Sequence, residues 1–147
     1  MKRREFIVSS CTACLSMTGL AALSSCKATH LVSGQLNKDG VLIDLNDFKV
    51  KKNAQTEYRS YVVIRNEELK FPICVYRFSD TDYTAIWMQC AHQGAELQVS
   101  GTHLHCPAHG SEYDNKGRVT NGPAERDLRT FPVTLNNDQL FIDLRKQ

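Results

Sequence analysis

The chain has 147 residues, with 18 Lys and Arg against 16 Asp and Glu and a formal net charge of +2 at pH 7. That near balance, with no basic patch, excludes a nucleic-acid binder read through phosphate contacts. No long helical periodicity, internal repeat or low-complexity tract breaks the sequence, so a helical bundle and a solenoid are excluded as well.

In chain order, the first element is an address. Met1-Lys2-Arg3-Arg4-Glu5-Phe6-Ile7 gives a basic start, and a moderately apolar stretch rich in Ser, Thr and Ala follows. This reads as an export signal over residues 1–25, not as a domain. Arg3-Arg4-x-Phe6-Ile7 resembles the twin-arginine signal, which exports folded proteins; a general secretory signal is the alternative. The stretch ends Leu23-Ser24-Ser25-Cys26, similar to a bacterial lipobox in which Cys26 is lipidated. The rival is an uncleaved anchor helix, because Phe6 to Ala22 nearly reaches the ~20 residues that span a bilayer. Ser9, Ser10, Thr12, Ser16 and Thr18 make that stretch a poor lipid-facing surface. Removing the signal takes the formal net charge to zero, since it holds Lys2, Arg3, Arg4 and Glu5. Cys11 and Cys14 would leave with the signal. Residues 26–37, polar and with one glycine, read as a lipidated cysteine and tether that includes His30.

Residues 38–147 read as one domain with a single core. The expected strands are Val41–Ile43, Tyr61–Ile64, Ile73–Phe78 and Tyr83–Met88, all short β-branched and aromatic runs. Cys74 within the third run reads as a small buried hydrophobe. Glu96–Val99 and His103–His105 flank a tight hairpin at Ser100-Gly101-Thr102, and His103 and His105 share one strand face. Phe131–Leu135 and Leu140–Leu144 close the chain across Asn136-Asn137-Asp138-Gln139, with further turns at Asp39-Gly40 and Asn121-Gly122. The fold class is all-β, an antiparallel β-sandwich of short stacked sheets.

Between these strands lie two boxes, Cys90-Ala91-His92 and Cys106-Pro107-Ala108-His109, with Gly94 and Gly110 after the histidines. Two thiolates and two imidazoles make a mixed sulfur and nitrogen metal site. Structural zinc also accepts this set, although zinc motifs commonly pair Cys with Cys and His with His. The second box continues His109-Gly110-Ser111-Glu112-Tyr113-Asp114, then Gly117 and Gly122-Pro123-Ala124. From Met88 to Ala124 the sequence resembles the cluster-binding region of Rieske proteins. The resemblance implies a [2Fe–2S] cluster at the tip of the sandwich, one iron held by Cys90 and Cys106 and the other by His92 and His109. It also implies supporting roles for Pro107, Gly94 and Gly110, and hydroxyl donation from Ser111 and Tyr113 to a bridging sulfide and a ligand sulfur. Neutral imidazoles in place of thiolates ease the addition of an electron, and the family spans about −150 to +300 mV. Each outer imidazole nitrogen can carry a proton, which couples electron to proton transfer.

The sequence departs from the family in two places. Ala95 and Ala108 stand where high-potential members carry a disulfide between the loops. The segment from His92 to Cys106 is slightly short, which the hairpin absorbs. With both hydroxyls and no disulfide, a raised potential and more mobile loops are expected.

The implied function is a one-electron carrier at the envelope side of a bacterial membrane, facing the periplasm. Lys27 after Cys26 lacks the aspartate that retains some lipoproteins at the inner membrane, so the outer membrane is favoured over the inner. Expected partners are a quinol-oxidising complex, a cytochrome or the large subunit of a molybdenum enzyme, with the membrane reached through the N-terminal lipid and no nucleic acid. No second domain with a mononuclear iron site is read here, so an oxygenase is not expected. Two rivals stand: an interaction subunit of an envelope assembly with a structural cluster, and an exported zinc-binding lipoprotein.

Overall fold

A computed structural model describes residues 29–52 and 55–145. The expected signal segment 1–25, Cys26 and the first residues of the expected tether lie outside the described residues. Those described form fifteen short strands and one 3₁₀ turn, Leu45–Phe48. No helix among them is long and apolar enough to cross a membrane.

The central sheet holds five strands: β1 (Leu31–Val32), β6 (Tyr61–Ile64), β7 (Ile73–Arg77), β8 (Tyr83–Trp87) and β13 (Thr130–Phe131). Only β1 joins it in parallel, beside β6. A base sheet orders β14 (Val133–Asn136), β15 (Gln139–Asp143), β3 (Gly40–Asp44) and β2 (Gln35–Leu36). A tip sheet orders β12 (Val119–Asn121), β11 (Glu112–Asp114), β10 (His103–His105) and β9 (Gln98–Ser100). The hairpin of β4 (Lys49–Lys52) and β5 (Gln55–Tyr58) stands apart from all three.

The apolar runs of β6, β7 and β8 do not alternate with polar residues because both faces of their sheet are covered. Successive side chains point to opposite faces. Val62, Ile64, Ile73, Val75 and Ala85 face the base sheet and pack with Val41, Ile43, Phe48, Leu140 and Ile142. Val63, Cys74, Tyr76 and Ile86 face the other way, against Leu97, Leu104 and Tyr113. A one-residue slip in β7 would exchange the two sets, so two cores fix one register. Cys74 is fully buried, and burial pushes its thiol far up from the ordinary value.

The expected tether is shorter at its C-terminal end than the sequence suggests. Leu31–Val32 pairs with Val63–Ile64, and Gln35–Leu36 pairs with Val41–Leu42. Val63 N–H donates to His30 C=O at 3.0 Å and Arg65 N–H to Val32 C=O at 2.9 Å. These backbone bonds, with Val32 and Leu36 packed on the base core, lay the segment on the domain. The turn expected at Asp39-Gly40 sits slightly earlier, where Asn37 Oδ1 accepts from the N–H groups of Asp39 and Gly40 at 2.9 Å each. Gly40 itself opens β3 against β15. A Cβ there would lie 2.1 Å from the Ile142 carbonyl oxygen, so this close approach requires glycine.

Candidate metal centre

The two cysteine boxes fold into loops with the same backbone frame. In the first, Cys90 N–H donates to Ala95 C=O at 2.8 Å and Gly94 N–H donates back to Cys90 C=O at 2.9 Å. In the second, Cys106 N–H donates to Ser111 C=O at 2.8 Å and Gly110 N–H to Cys106 C=O at 2.9 Å. Each frame turns on a glycine in the left-handed region, Gly94 at φ 76° and Gly110 at φ 80°. Within this shared frame the histidines differ by one place: His92 is third from the start and His109 fourth. The strands aim the loops at each other. The first leaves β8 and is closed by the Leu97 N–H bond to Met88 C=O at 2.9 Å, while the second joins β10 to β11.

The four donors come together as two pairs. Cys90 and Cys106 are 3% and 1% exposed and lie at the inner end, thiol against thiol. The His92 and His109 rings lie at the outer end, centroids 5.0 Å apart and planes at 86°. His92 is half-buried and His109 exposed. His103 and His105, on the outer face of β10 opposite Asp114 and Glu112, belong to neither pair.

A family model described as the Rieske [2Fe-2S] domain matches residues 46–132. The chain belongs to this family. Its sequence relatives include the cytochrome b6-f complex iron-sulfur subunits of Synechococcus sp. (strain CC9605), 36% identical over 55 residues, and Trichodesmium erythraeum (strain IMS101), 38% identical over 55. Each match covers 36% of this chain and 31% of the relative, so the matched stretch is about a third of those proteins. Among solved structures, the plasma membrane Rieske protein PetC3 from Synechocystis PCC 6803 is similar with TM-score 0.50 and 24% identity, over 57% of this chain and 86% of that one. A chain of a hyperthermophilic respiratory Complex III is similar with TM-score 0.50 and 21% identity, over 93% of this chain and 94% of that one. At these identities the structures speak for the Rieske fold. The family's cofactor is a [2Fe–2S] cluster.

The residues of this Rieske domain fit that cofactor. His92 Nδ1 is buried with no hydrogen-bond partner, an arrangement that costs free energy unless the nitrogen has a ligand to bind. Two separate pairs, sulfur inside and nitrogen outside, suit a two-metal group with unlike ends.

Tyr113 ties the first loop to the tip sheet. Its buried Oη accepts from Ala91 N–H at 3.1 Å and lies 3.4 Å from Cys90 Sγ. With that acceptor position used, the hydroxyl proton is free to point at sulfur. Burial first, and then the contact with Cys90, push the Tyr113 hydroxyl up to about 12, so it stays a donor. Burial also pushes the Cys90 thiol up. The Tyr113 hydroxyl, the His92 N–H, the Cys106 thiol and the Gln93 N–H outweigh it and hold Cys90 below its ordinary value. Ser111 is fully buried, and its Oγ accepts from Ala124 N–H at 3.1 Å. The loop around Gly122-Pro123-Ala124 is thereby pinned to the second box.

Pro107 is exposed at the start of that box. Residues 74, 90 and 106 are the cysteines described, all free thiols, with Ala95 and Ala108 in the loops.

Sequence reasoning passed over three contributors. The Ala91 and Ala124 N–H groups act through the backbone and leave no side-chain signature. Asp114 holds the β11–β12 turn, accepting from the N–H groups of Lys116 and Arg118 at 2.9 Å and from Arg118 Nε at 2.7 Å. Burial raises its carboxyl, but these bonds together hold it below the usual range. An aspartate opening the run Asn115-Lys116-Gly117 is the turn signal that could have found it.

Proposed function

We propose that this protein is a one-electron carrier in which Cys90 and Cys106 hold the inner iron of the cluster, and His92, through Nδ1, and His109 hold the outer iron. The observation that carries the reading is the segregation of donors: buried thiol pair within, imidazole pair at the surface. When bound, a [2Fe–2S] cluster supplies reversible one-electron redox chemistry at the potentials of imidazole-ligated centres. The protein's own groups do the rest. The Tyr113 hydroxyl and the amides of His92 and Gln93 lower the cost of thiolate charge at Cys90. The buried tip core keeps water from the sulfur side, and the outward imidazoles bring the redox centre within reach of a partner.

The sequence signals extend the proposal to the cell. Residues 1–25 act as an export signal of twin-arginine type, lipidated Cys26 anchors residues 38–147, and the domain faces the periplasm, with the outer membrane favoured. A quinol-oxidising complex, a cytochrome or a molybdoenzyme large subunit supplies or takes the electron. The likeness to b6-f iron-sulfur subunits supports a place beside a membrane redox complex.

The test is anaerobic purification with iron and labile-sulfide assay and electron paramagnetic resonance of the reduced protein. Two irons and two sulfides per chain with a rhombic signal are expected. Cys106→Ser is expected to abolish both and His103→Ala to keep both. One zinc and no sulfide would refute the assignment. Incorporation of labelled palmitate that Cys26→Ser abolishes tests the anchor.

A further inference from the structure

A groove of about 530 Å³ runs along the first cluster loop. One wall is Cys90, Ala91 and His92; the other is the segment from Arg126 to Arg129, with Trp87 at its base. Arg126 and Arg129 differ from most arginines of this domain. Arg65, Arg77, Arg118 and Arg145 each pair with a carboxylate. Arg126 instead reaches Ala91 C=O at 3.5 Å, and Arg129 reaches Leu144 C=O at 3.5 Å with its guanidinium 4.7 Å over the Phe131 ring. Carbonyls and rings position a guanidinium without neutralising it. The one acid lining the groove, Asp127, accepts from Val119 N–H at 2.9 Å. Two unpaired cations and one acid leave the groove positive beside an imidazole of the proposed ligand set.

We propose that this groove is the docking surface for a redox partner protein that presents aspartate and glutamate side chains to Arg126 and Arg129. The proposal rests on the electron-carrier reading and names the chemistry of the partner's face. A guanidinium fork takes a carboxylate with two parallel hydrogen bonds, and a positive cleft steers an acidic surface into register with His92. Transfer itself moves one electron from the reduced cluster to the oxidant, with no bond made or broken.

The holoprotein is reduced and mixed with two oxidants of opposite charge, ferricyanide and tris(1,10-phenanthroline)cobalt(III), over a range of salt. The expected result is a ferricyanide rate that falls with salt and a cobalt rate that does not. Arg126→Gln with Arg129→Gln is expected to slow ferricyanide about fivefold at low salt and to speed the cobalt complex. Lys49→Gln with Lys51→Gln, an equal charge change on the exposed β4–β5 hairpin, should leave the ratio of the two rates in place. Polyglutamate should compete with ferricyanide in the wild type and lose that effect in the double variant. Rates that shift together, or a ratio indifferent to the arginines, overturn the proposal. So does a ferricyanide effect without competition by polyglutamate, which marks a small-anion site only. Failure to react with either oxidant defeats the electron-carrier reading itself, and is recognised by that. Retention of the electron paramagnetic resonance signal and midpoint potential in each variant keeps a lost cluster from imitating a lost docking site.

Discussion

Tyr113→Phe isolates one hydroxyl at the sulfur end of the site. In the wild type Oη lies 3.4 Å from Cys90 Sγ and is held there by the Ala91 N–H at 3.1 Å. A hydrogen bond to a charged acceptor is worth about 1.5–3 kcal/mol. Reduction adds negative charge that the sulfurs share, so the bond tightens, and we take roughly half its worth, ~0.8–1.5 kcal/mol, as the difference between oxidation states. One electron converts a tenfold factor, ~1.4 kcal/mol, into 59 mV, so the potential should fall by about 30–60 mV. The ring still fills its place in the core, so the fold should lose only the Ala91 bond, about 1 kcal/mol. Protein-film voltammetry measures the first quantity and thermal unfolding of the holoprotein the second. A potential that stays put or rises, in a variant with an intact cluster, would refute the argument that this hydroxyl donates to the thiolate.

Ser111→Ala removes the acceptor of Ala124 N–H and should both lower the potential and cost about 1 kcal/mol, read by the same two assays. Gly40→Ala should cost about 2–4 kcal/mol in denaturant unfolding, because its Cβ meets the Ile142 carbonyl. Gly110→Ala meets no atom within 4 Å and pays only for its φ of 80°, about 1 kcal/mol. Asp114 titrates below its unfolded value, so as pH falls the unfolded chain takes up the proton first and wild-type stability drops through the acid range. Asp114→Asn should be less stable at neutral pH and show a flatter acid slope in unfolding measured against pH. The Cys74 thiol is buried and pushed up from its ordinary value, so iodoacetamide should leave it unlabelled in the native protein and label it on unfolding, as mass spectrometry reports.

The donors of the site were legible because mixed Cys/His pairs at close spacing have few structural explanations. Their supports were legible only where a side chain carries the bond. Tyr113 and Ser111 could be read; the Ala91 and Ala124 amides and Arg126 could not. The fold follows the same line. Strands β3, β6, β7, β8, β14 and β15 announce themselves as apolar runs. The tether's last residues hid two strands, since Leu31, Val32 and Leu36 form no run and are held by backbone pairing. The β4–β5 hairpin was hidden too, being almost wholly exposed, with Tyr58 under the Arg77 guanidinium at 4.3 Å. That three layers are stacked, not two, is written in the unbroken hydrophobicity of β7, a pattern that two-sided burial alone explains.

The clamps across the tip are hydroxyl-to-amide contacts from Tyr113 and Ser111, and no cystine bridges the loops at Ala95 and Ala108. Dithiothreitol or glutathione therefore finds no covalent staple to cleave there. The contacts that join the cluster-binding loops include no bond at those two positions that a thiol reductant cleaves.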